Sequence, residues 1–263
     1  MRPDFQEWVQ RLKEHREHRH RKPWEWAFIC QALFERDMLR SGRKGLGFAV
    51  GQEPMTALFA SSGANIVATD LFTDASAAKG WVETGQHASG YEAINLRGLC
   101  DEAVLRERVE FRFADMNHIP EDFHGQFDFV WSACAFEHLG SLELGKQFVV
   151  NSMKCLRAGG VAVHTTEFNV SSNWNTVKEG DTVLYRRRDI DDLLRRLRRQ
   201  GHAADIDYDI GNSVADGTID LPPYKHTVHM KLRIGDFVST SIGLIISKGA
   251  SLRRPAWRTW FAR

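Results

Sequence analysis

The stretch from Lys44 to Asp70, KGLGFAVGQEPMTALFASSGANIVATD, constrains the fold more than any other part of the chain. Its pattern predicts a strand, a glycine-rich turn, a helix and a second strand that ends on an acid. Gly45, Gly47 and Gly51 supply the turn, because glycine takes positive φ and lets a ligand approach the main chain closely. Pro54 suits the first turn of a helix, where its missing N–H costs nothing. Met55, Leu58 and Phe59 form the face that meets a sheet, Ser62 and Gly63 stop the helix, and Ala64 to Thr69 is a short apolar β run. Asp70 then falls at the carboxyl end of the second strand. Open α/β sheets bind their ligands there, and an acid at that edge can accept hydrogen bonds from both hydroxyls of a ribose.

Two cofactor classes use such a layout. Dinucleotides place a pyrophosphate on the helix N-terminus, usually over G-x-G-x-x-G. Here the glycines run G-x-G-x-x-x-G, and Gln52, Glu53 and Pro54 follow at once. A carboxylate in that position repels a pyrophosphate but tolerates a sulfonium or an ammonium, which favours S-adenosylmethionine over NAD. No Tyr-x-x-x-Lys pair supports an oxidoreductase. The plainer alternative is a tight strand–helix turn of any α/β protein.

Length and charge set the outer bounds. At 263 residues the chain holds one large domain or one domain with additions, and it is long enough for a real core. The 35 basic and 34 acidic side chains nearly cancel, so nothing calls for nucleic acid or a membrane as partner. No apolar run of about 18 residues predicts a transmembrane helix, and the first residues lack the apolar core of a signal peptide. Cys30, Cys100, Cys134 and Cys155 are scattered, with no C-x-x-C pairing. They read as reduced core cysteines of a cytoplasmic protein.

Residues 1–40 read as a helical cap. Phe5, Trp8, Val9 and Leu12 share one helical face, and Trp24, Ala27, Phe28, Cys30, Gln31 and Phe34 share another. Between them lies the basic run His15 to Lys22, an anion patch, a pH-sensitive lid or simply a solvated helix end. Val109 to Phe113 predicts a third strand leading to Asp115 and Met116. Asp115 is placed to accept an adenine amine and Met116 to lie against its ring; a plain turn aspartate is the alternative. Gln126 to Ala135 predicts a buried fourth strand, Leu142 to Leu156 a helix, and Val161 to Glu167 a fifth strand. Asp189 to Gln200 reads as a helix with a basic outer face, Asp205 to Ile210 as a strand, and Ser239 to Ser247 as a last apolar strand. Residues 211–236 form an excursion, and 251–263 form a tail rich in arginine and tryptophan.

This order of elements predicts a doubly wound α/β fold. With its last strand inserted antiparallel, the chain resembles the class I S-adenosylmethionine-dependent methyltransferases over residues 41–250. Gly45 to Glu53, Asp70, Asp115-Met116, Phe127 to His138 and Leu156 to Gly160 carry the resemblance, in the family's order. It implies a mostly parallel seven-stranded sheet with helices on both faces. It also implies a cofactor site lined by Gly45, Leu46, Gly47, Phe48, Gly51, Glu53, Asp70, Leu71, Asp115, Met116, Ser132 and Ala133. The family's acid before the glycines falls on Gly45 here, and its middle glycine on Ala49, so Glu53 is expected to take the acid's role toward the cofactor's amino group. The phrases GLGFAVGQEP, WEWAFICQAL and TSIGLII resemble a bacterial subgroup associated with glycan and polysaccharide assembly.

The expected reaction is methyl transfer to a hydroxyl of a small molecule or sugar, with S-adenosylhomocysteine as product. His138 is the expected base, and Glu137 is expected either to orient it or to bind the acceptor. Glu167, Tyr224, His226 and His229 are the expected acceptor contacts. A second grouping of His138, His164, Glu167, His226 and His229 offers ligands for a divalent metal, but imidazole-rich sets suit Mg²⁺ poorly and no metal is expected. Methylation of nitrogen or carbon, or a silent cofactor-binding protein, are the competing readings.

Overall fold

The computed structural model describes residues 3–14, 19–72, 87–88, 90–211, 213–224 and 228–249. The chain begins with α1 (Pro3–Arg11), a two-residue strand β1 (Arg19–His20) and α2 (Arg21–Phe34). Then come β2 (Lys44–Gly47), α3 (Met55–Ser61), β3 (Asn65–Asp70), α4 (Tyr91–Ile94), α5 (Glu102–Arg108) and β4 (Val109–Phe113). The second half holds β5 (Phe127–Ala133), β6 (Gly140–Ser141), α6 (Leu142–Cys155), β7 (Leu156–Asn169), β8 (Glu179–Gly180), α7 (Arg187–Arg199) and β9 (Ala203–Ile206). It closes with α8 (Val214–Gly217), β10 (Ile219–Asp220), β11 (Val228–His229), β12 (Lys231–Ile234) and β13 (Phe237–Ser247).

The main sheet runs β10-β12-β13-β7-β5-β2-β3-β4, with β9 also on β13. The pairs from β7 through β5, β2 and β3 to β4 are parallel, and β13 lies antiparallel to β7. The doubly wound architecture with an inserted antiparallel strand is as expected. The strand count differs: among the described residues, nine strands pair instead of seven. The reason is β13, which is eleven residues long. Its second half pairs with β9, which leaves the first half an open edge. The Gly235-Asp236 turn folds β12 back onto that edge as a hairpin, pairing Ile234 with Phe237, and β10 joins β12. Gly-Asp between two short runs is a two-residue hairpin signal, so the excursion carries its own strands.

Side chains alternate across the sheet because strand periodicity is two. Phe129, Trp131 and Ala133 of β5 face one core, with α2 and α3, while Val130 faces the other, with α6 and α7. Trp131 and Phe129 are fully buried, each worth roughly 1.5–3 kcal/mol of apolar transfer. Their rings explain two glycines. A Cβ on Gly45 would overlap the Phe129 ring, and one on Gly47 would overlap Trp131. These two residues lie inside β2 rather than in the turn. The turn itself is made by Ala49 and Gly51, both at positive φ, +48° and +52°.

Of the helices foreseen, α2 starts at Arg21 and buries almost every residue from Pro23 to Leu33. Residues 15–18 of the basic run, the tail 251–263 and the segment 73–86 lie outside the described residues. All four cysteines are free and buried. Among the described residues, no helix is long and apolar enough to cross a membrane.

Candidate functional site

β2 and β5 are neighbours at the centre of the sheet, where the strand order reverses. The crevice outside their carboxyl ends is where a ligand of an open α/β sheet belongs. The turn after β2 is held from both sides. Phe48 donates its amide to the Trp131 carbonyl at 3.0 Å and Val50 to the Thr69 carbonyl at 3.0 Å. Asp70 closes it: its Oδ2 accepts from the Gly51 amide at 3.1 Å and the Ala88 amide at 3.0 Å, and its Oδ1 accepts from Leu71 at 2.9 Å. Burial pushes the Asp70 carboxyl up, against these backbone donors, which favour its ionised form. Next to it the exposed ring of Phe72 stacks on Phe113 at 4.4 Å.

The remaining cofactor candidates fall along the same edge. Asp115 follows β4 and holds its own loop, accepting from the Asn117 amide at 2.8 Å and meeting His118 Nδ1 at 2.9 Å. Met116 behind it is buried. Leu46 and Phe48 sit in the core on the α6 side. Ser132 turns away from the edge, its hydroxyl 2.8 Å from His164 Nδ1, while Ala133 ends β5.

The side chains that fill the crevice come from the N-terminal helix. Lys22 Nζ lies 3.1 Å from Glu53 Oε1, 3.2 Å from Glu25 Oε2 and 3.4 Å from the Ala133 carbonyl. Burial acts to lower the Lys22 pKa, yet Glu25 and Glu53 together hold it above its ordinary value. Burial likewise pushes Glu53 up, and Lys22 only partly offsets this. Glu25 is fully buried and would rise as well. Lys22, Arg21 and hydrogen bonds from Ser241 and Cys134 instead draw it down to about 2. Glu53 and the Ala133 carbonyl thus already accept an ammonium in the crevice. That pair of acceptors fits the α-amino group of the methionyl moiety of S-adenosylmethionine.

Beyond β5 the chain turns through Cys134, at φ +43°, into a short 3₁₀ turn, Phe136–His138. Glu137 is fully buried, with Oε2 accepting from Thr166 Oγ1 at 3.0 Å. His138 Nδ1 lies 2.7 Å from the Asp181 carbonyl. A carbonyl only accepts, so Nδ1 carries the proton and the Nε2 lone pair is the basic one. Nε2 stands 4.0 Å from Glu137 Oε1. Asp181, and not Glu137, therefore orients the ring. Glu167, at the end of β7, pairs with Arg21 and accepts from Ser239 Oγ at 2.5 Å.

Among the described residues, the imidazole-rich metal set does not come together. His164 is buried in the sheet between Ser132 and Ser152, and burial drives its pKa down to about 3. His229 pairs with Asp220 at 2.6 Å and stacks on His20 at 4.4 Å. Tyr224 meets His229 edge-on and donates its hydroxyl to the Arg233 carbonyl at 2.8 Å. His226 lies outside the described residues. What does gather is Cys134, Glu137 and Glu167, with ligand atoms within 4.8 Å of one another. Arg21, Lys22, Glu25, Cys134, Ser239 and Ser241 were not singled out by their sequence positions. The one sequence signal near them was the basic run ending at Lys22.

Residues 46–164 match the family described as Methyltransferase domain. No curated protein matches the chain. Among solved structures, the chain is similar to a protein described as a sarcosine dimethylglycine methyltransferase from Galdieria sulphuraria. The two are 11% identical, with 95% of this chain and 100% of that one covered and a TM-score of 0.53. It is also similar to DhpI in complex with SAH, at 16% identity, 94% and 96% coverage and a TM-score of 0.47. For the cyclase SpnF the values are 17% identity, 70% of this chain, 62% of that chain and a TM-score of 0.45. The chain thus spans less than two thirds of SpnF's length. The Methyltransferase domain match across residues 46–164 covers the strands that meet at the crevice of the doubly wound sheet.

Proposed function

We propose that the protein transfers the donor's methyl group to a hydroxyl of a small molecule, with sugars and glycan precursors as the first acceptors to assay. When bound, S-adenosylmethionine supplies an electrophilic methyl on a sulfonium. Glu53 and the Ala133 carbonyl take the ammonium of its methionyl end, Asp70 Oδ1 the ribose, and Asp115 with Met116 the adenine. The acceptor enters from the side of Cys134, Glu137 and Glu167. Holding the two reactants collinear accounts for most of the rate enhancement.

The observation that carries the acceptor reading is the tautomer of His138. Its Nδ1–H is engaged by the Asp181 carbonyl, and Thr182 Oγ1 lies 3.2 Å from the same nitrogen. The ring is thereby fixed with Nε2 as the proton acceptor, on the Glu137 side of the crevice edge. A positioned base of this kind contributes about 10²–10⁴ in rate. His138→Ala is expected to bind S-adenosylhomocysteine as the parent does while kcat falls by about 10²–10⁴. Near-normal kcat in that variant on a working acceptor overturns the base assignment.

A further inference from the structure

Four carboxylates gather in the crevice: Glu25 and Glu53 around Lys22, and Glu137 and Glu167 beside Cys134. Among the described residues, two cations pair with them. Arg21 holds Glu167, and Lys22 bridges Glu25 and Glu53. Glu137 has neither. Its Oε1 is buried and makes no hydrogen bond, and the nearest histidine nitrogen is 4.0 Å away, beyond hydrogen-bond reach. A buried acceptor atom without a donor is unfavourable, the more so when charged. Thr166 anchors the other oxygen, and the group's ligand atoms converge with those of Cys134 and Glu167 to within 4.8 Å.

We infer that the acceptor carries a cationic nitrogen, and that Glu137, backed by Glu167, binds it. The inference rests on the reading above of this edge as the acceptor side, and it names the acceptor's class. The charge balance supports it. The four carboxylates exceed the two cations by two, and the donor, with its sulfonium, ammonium and carboxylate, brings one positive charge. A protonated amine on the acceptor supplies the other, and its N–H groups give Oε1 the missing donor. A divalent metal at the same three side chains fits less well. It needs Cys134 as a thiolate, but burial and the carboxylates of Glu137 and Glu25 keep that thiol protonated. The thiol already donates to Glu25 at 3.0 Å, and Arg21 occupies Glu167.

The test is calorimetry on the full-length protein saturated with S-adenosylhomocysteine, with matched probes: glucosamine against glucose, and ethanolamine against ethylene glycol. Alongside it, release of S-adenosylhomocysteine from the methyl donor is measured with the same compounds and with further amine–neutral pairs. The amine of each pair is expected to bind at least tenfold more tightly. Glu137→Gln is expected to lose that preference, with unchanged S-adenosylhomocysteine affinity and thermal midpoint, and Glu137→Asp to keep part of it. No amine preference in any pair, a preference that survives in Glu137→Gln, or one abolished by EDTA overturns the inference. Failure of S-adenosylhomocysteine to bind at all removes the underlying cofactor reading instead. Turnover of neutral hydroxyl compounds without amine preference removes only the inference. A methyl group found on nitrogen in the product keeps the amine subsite and removes the hydroxyl assignment.

Discussion

Asp70 does two things with one carboxylate. Oδ2 closes the turn by accepting from Gly51 and Ala88, while Oδ1 keeps lone-pair capacity at the crevice edge. Asp70→Asn puts an amide where these N–H groups point. S-adenosylhomocysteine affinity is expected to drop more than tenfold, from roughly 1.5–3 kcal/mol of charge-assisted hydrogen bonding; equal isotherms for variant and parent rule the ribose contact out. His164 sets a pH limit of another kind. Its folded pKa lies near 3 because burial excludes the charged ring, against about 6.5 unfolded. Its contribution is therefore complete above pH 6.5 and is lost as pH falls from there toward 3. The loss amounts to roughly 3 kcal/mol by pH 4. Urea titrations at pH 7 and pH 4 are expected to show that loss in the parent and a smaller one in His164→Gln. At this scale the acids ending β3 and β4 were legible, since a polar residue closing an apolar run marks a strand's end. Glu25 and Cys134 were not. A glutamate within a helix reads as a solvent-facing residue, and burial of its charge depends on Lys22, Arg21 and Ser241 arriving from elsewhere.

Among elements, α6 fixes the segment that carries Glu137 and His138. Gly145 lets the helix approach closely: a Cβ there would collide with the Tyr185 hydroxyl and the Phe136 carbonyl. Tyr185 is fully buried and Phe136 belongs to the short turn itself, so neither yields easily. Gly145→Ala is expected to cost about 1–3 kcal/mol, as overpacking of a tight core does. It is also expected to lower kcat by shifting the turn, while S-adenosylhomocysteine binding at the opposite side of the crevice holds. A melting curve and a rate assay on the same preparation check both. The long elements were legible from periodicity: α6, β5 and β13 fall where the apolar spacing put them, whereas β7 already begins at Leu156 instead of Val161 and β9 covers Ala203–Ile206 instead of 205–210. The strands of the excursion were not read, although Gly235-Asp236 signals a hairpin, because the flanking runs are four residues long on one side and charged. The spacing of Gly45 and Gly47 predicts turn residues, yet the rings of Phe129 and Trp131 on the neighbouring strand require them. Sequence spacing along one strand does not reveal which side chain will stand beside it.

Across the whole molecule, the crevice joins three distant parts of the chain: the start of α2, the turn after β5, and the facing halves of β7 and β13. Ser241 holds Glu25, Ser239 holds Glu167, and the Phe28 ring fills the gap that Gly243 leaves. The sheet order and the switch-point crevice followed from the alternation of strands and helices. The N-terminal charges inside the crevice did not, since only the folded topology brings α2 over β13.

The contact between Glu25 and Ser241 spans 216 residues, which bears on how the protein comes into being. As the chain leaves the ribosome, α2 emerges early with an almost wholly apolar surface and one glutamate whose partner has yet to be synthesised. That helix finds β5 and β7 first, and its Glu25 waits for Ser241 until β13 follows. Long-range pairing of this kind slows folding, and nascent chains with exposed apolar elements are prone to aggregate. Translation stopped short of residue 237 yields a chain in which α2 has only β5 and β7 to dock on and Glu25 lacks the Ser241 hydroxyl.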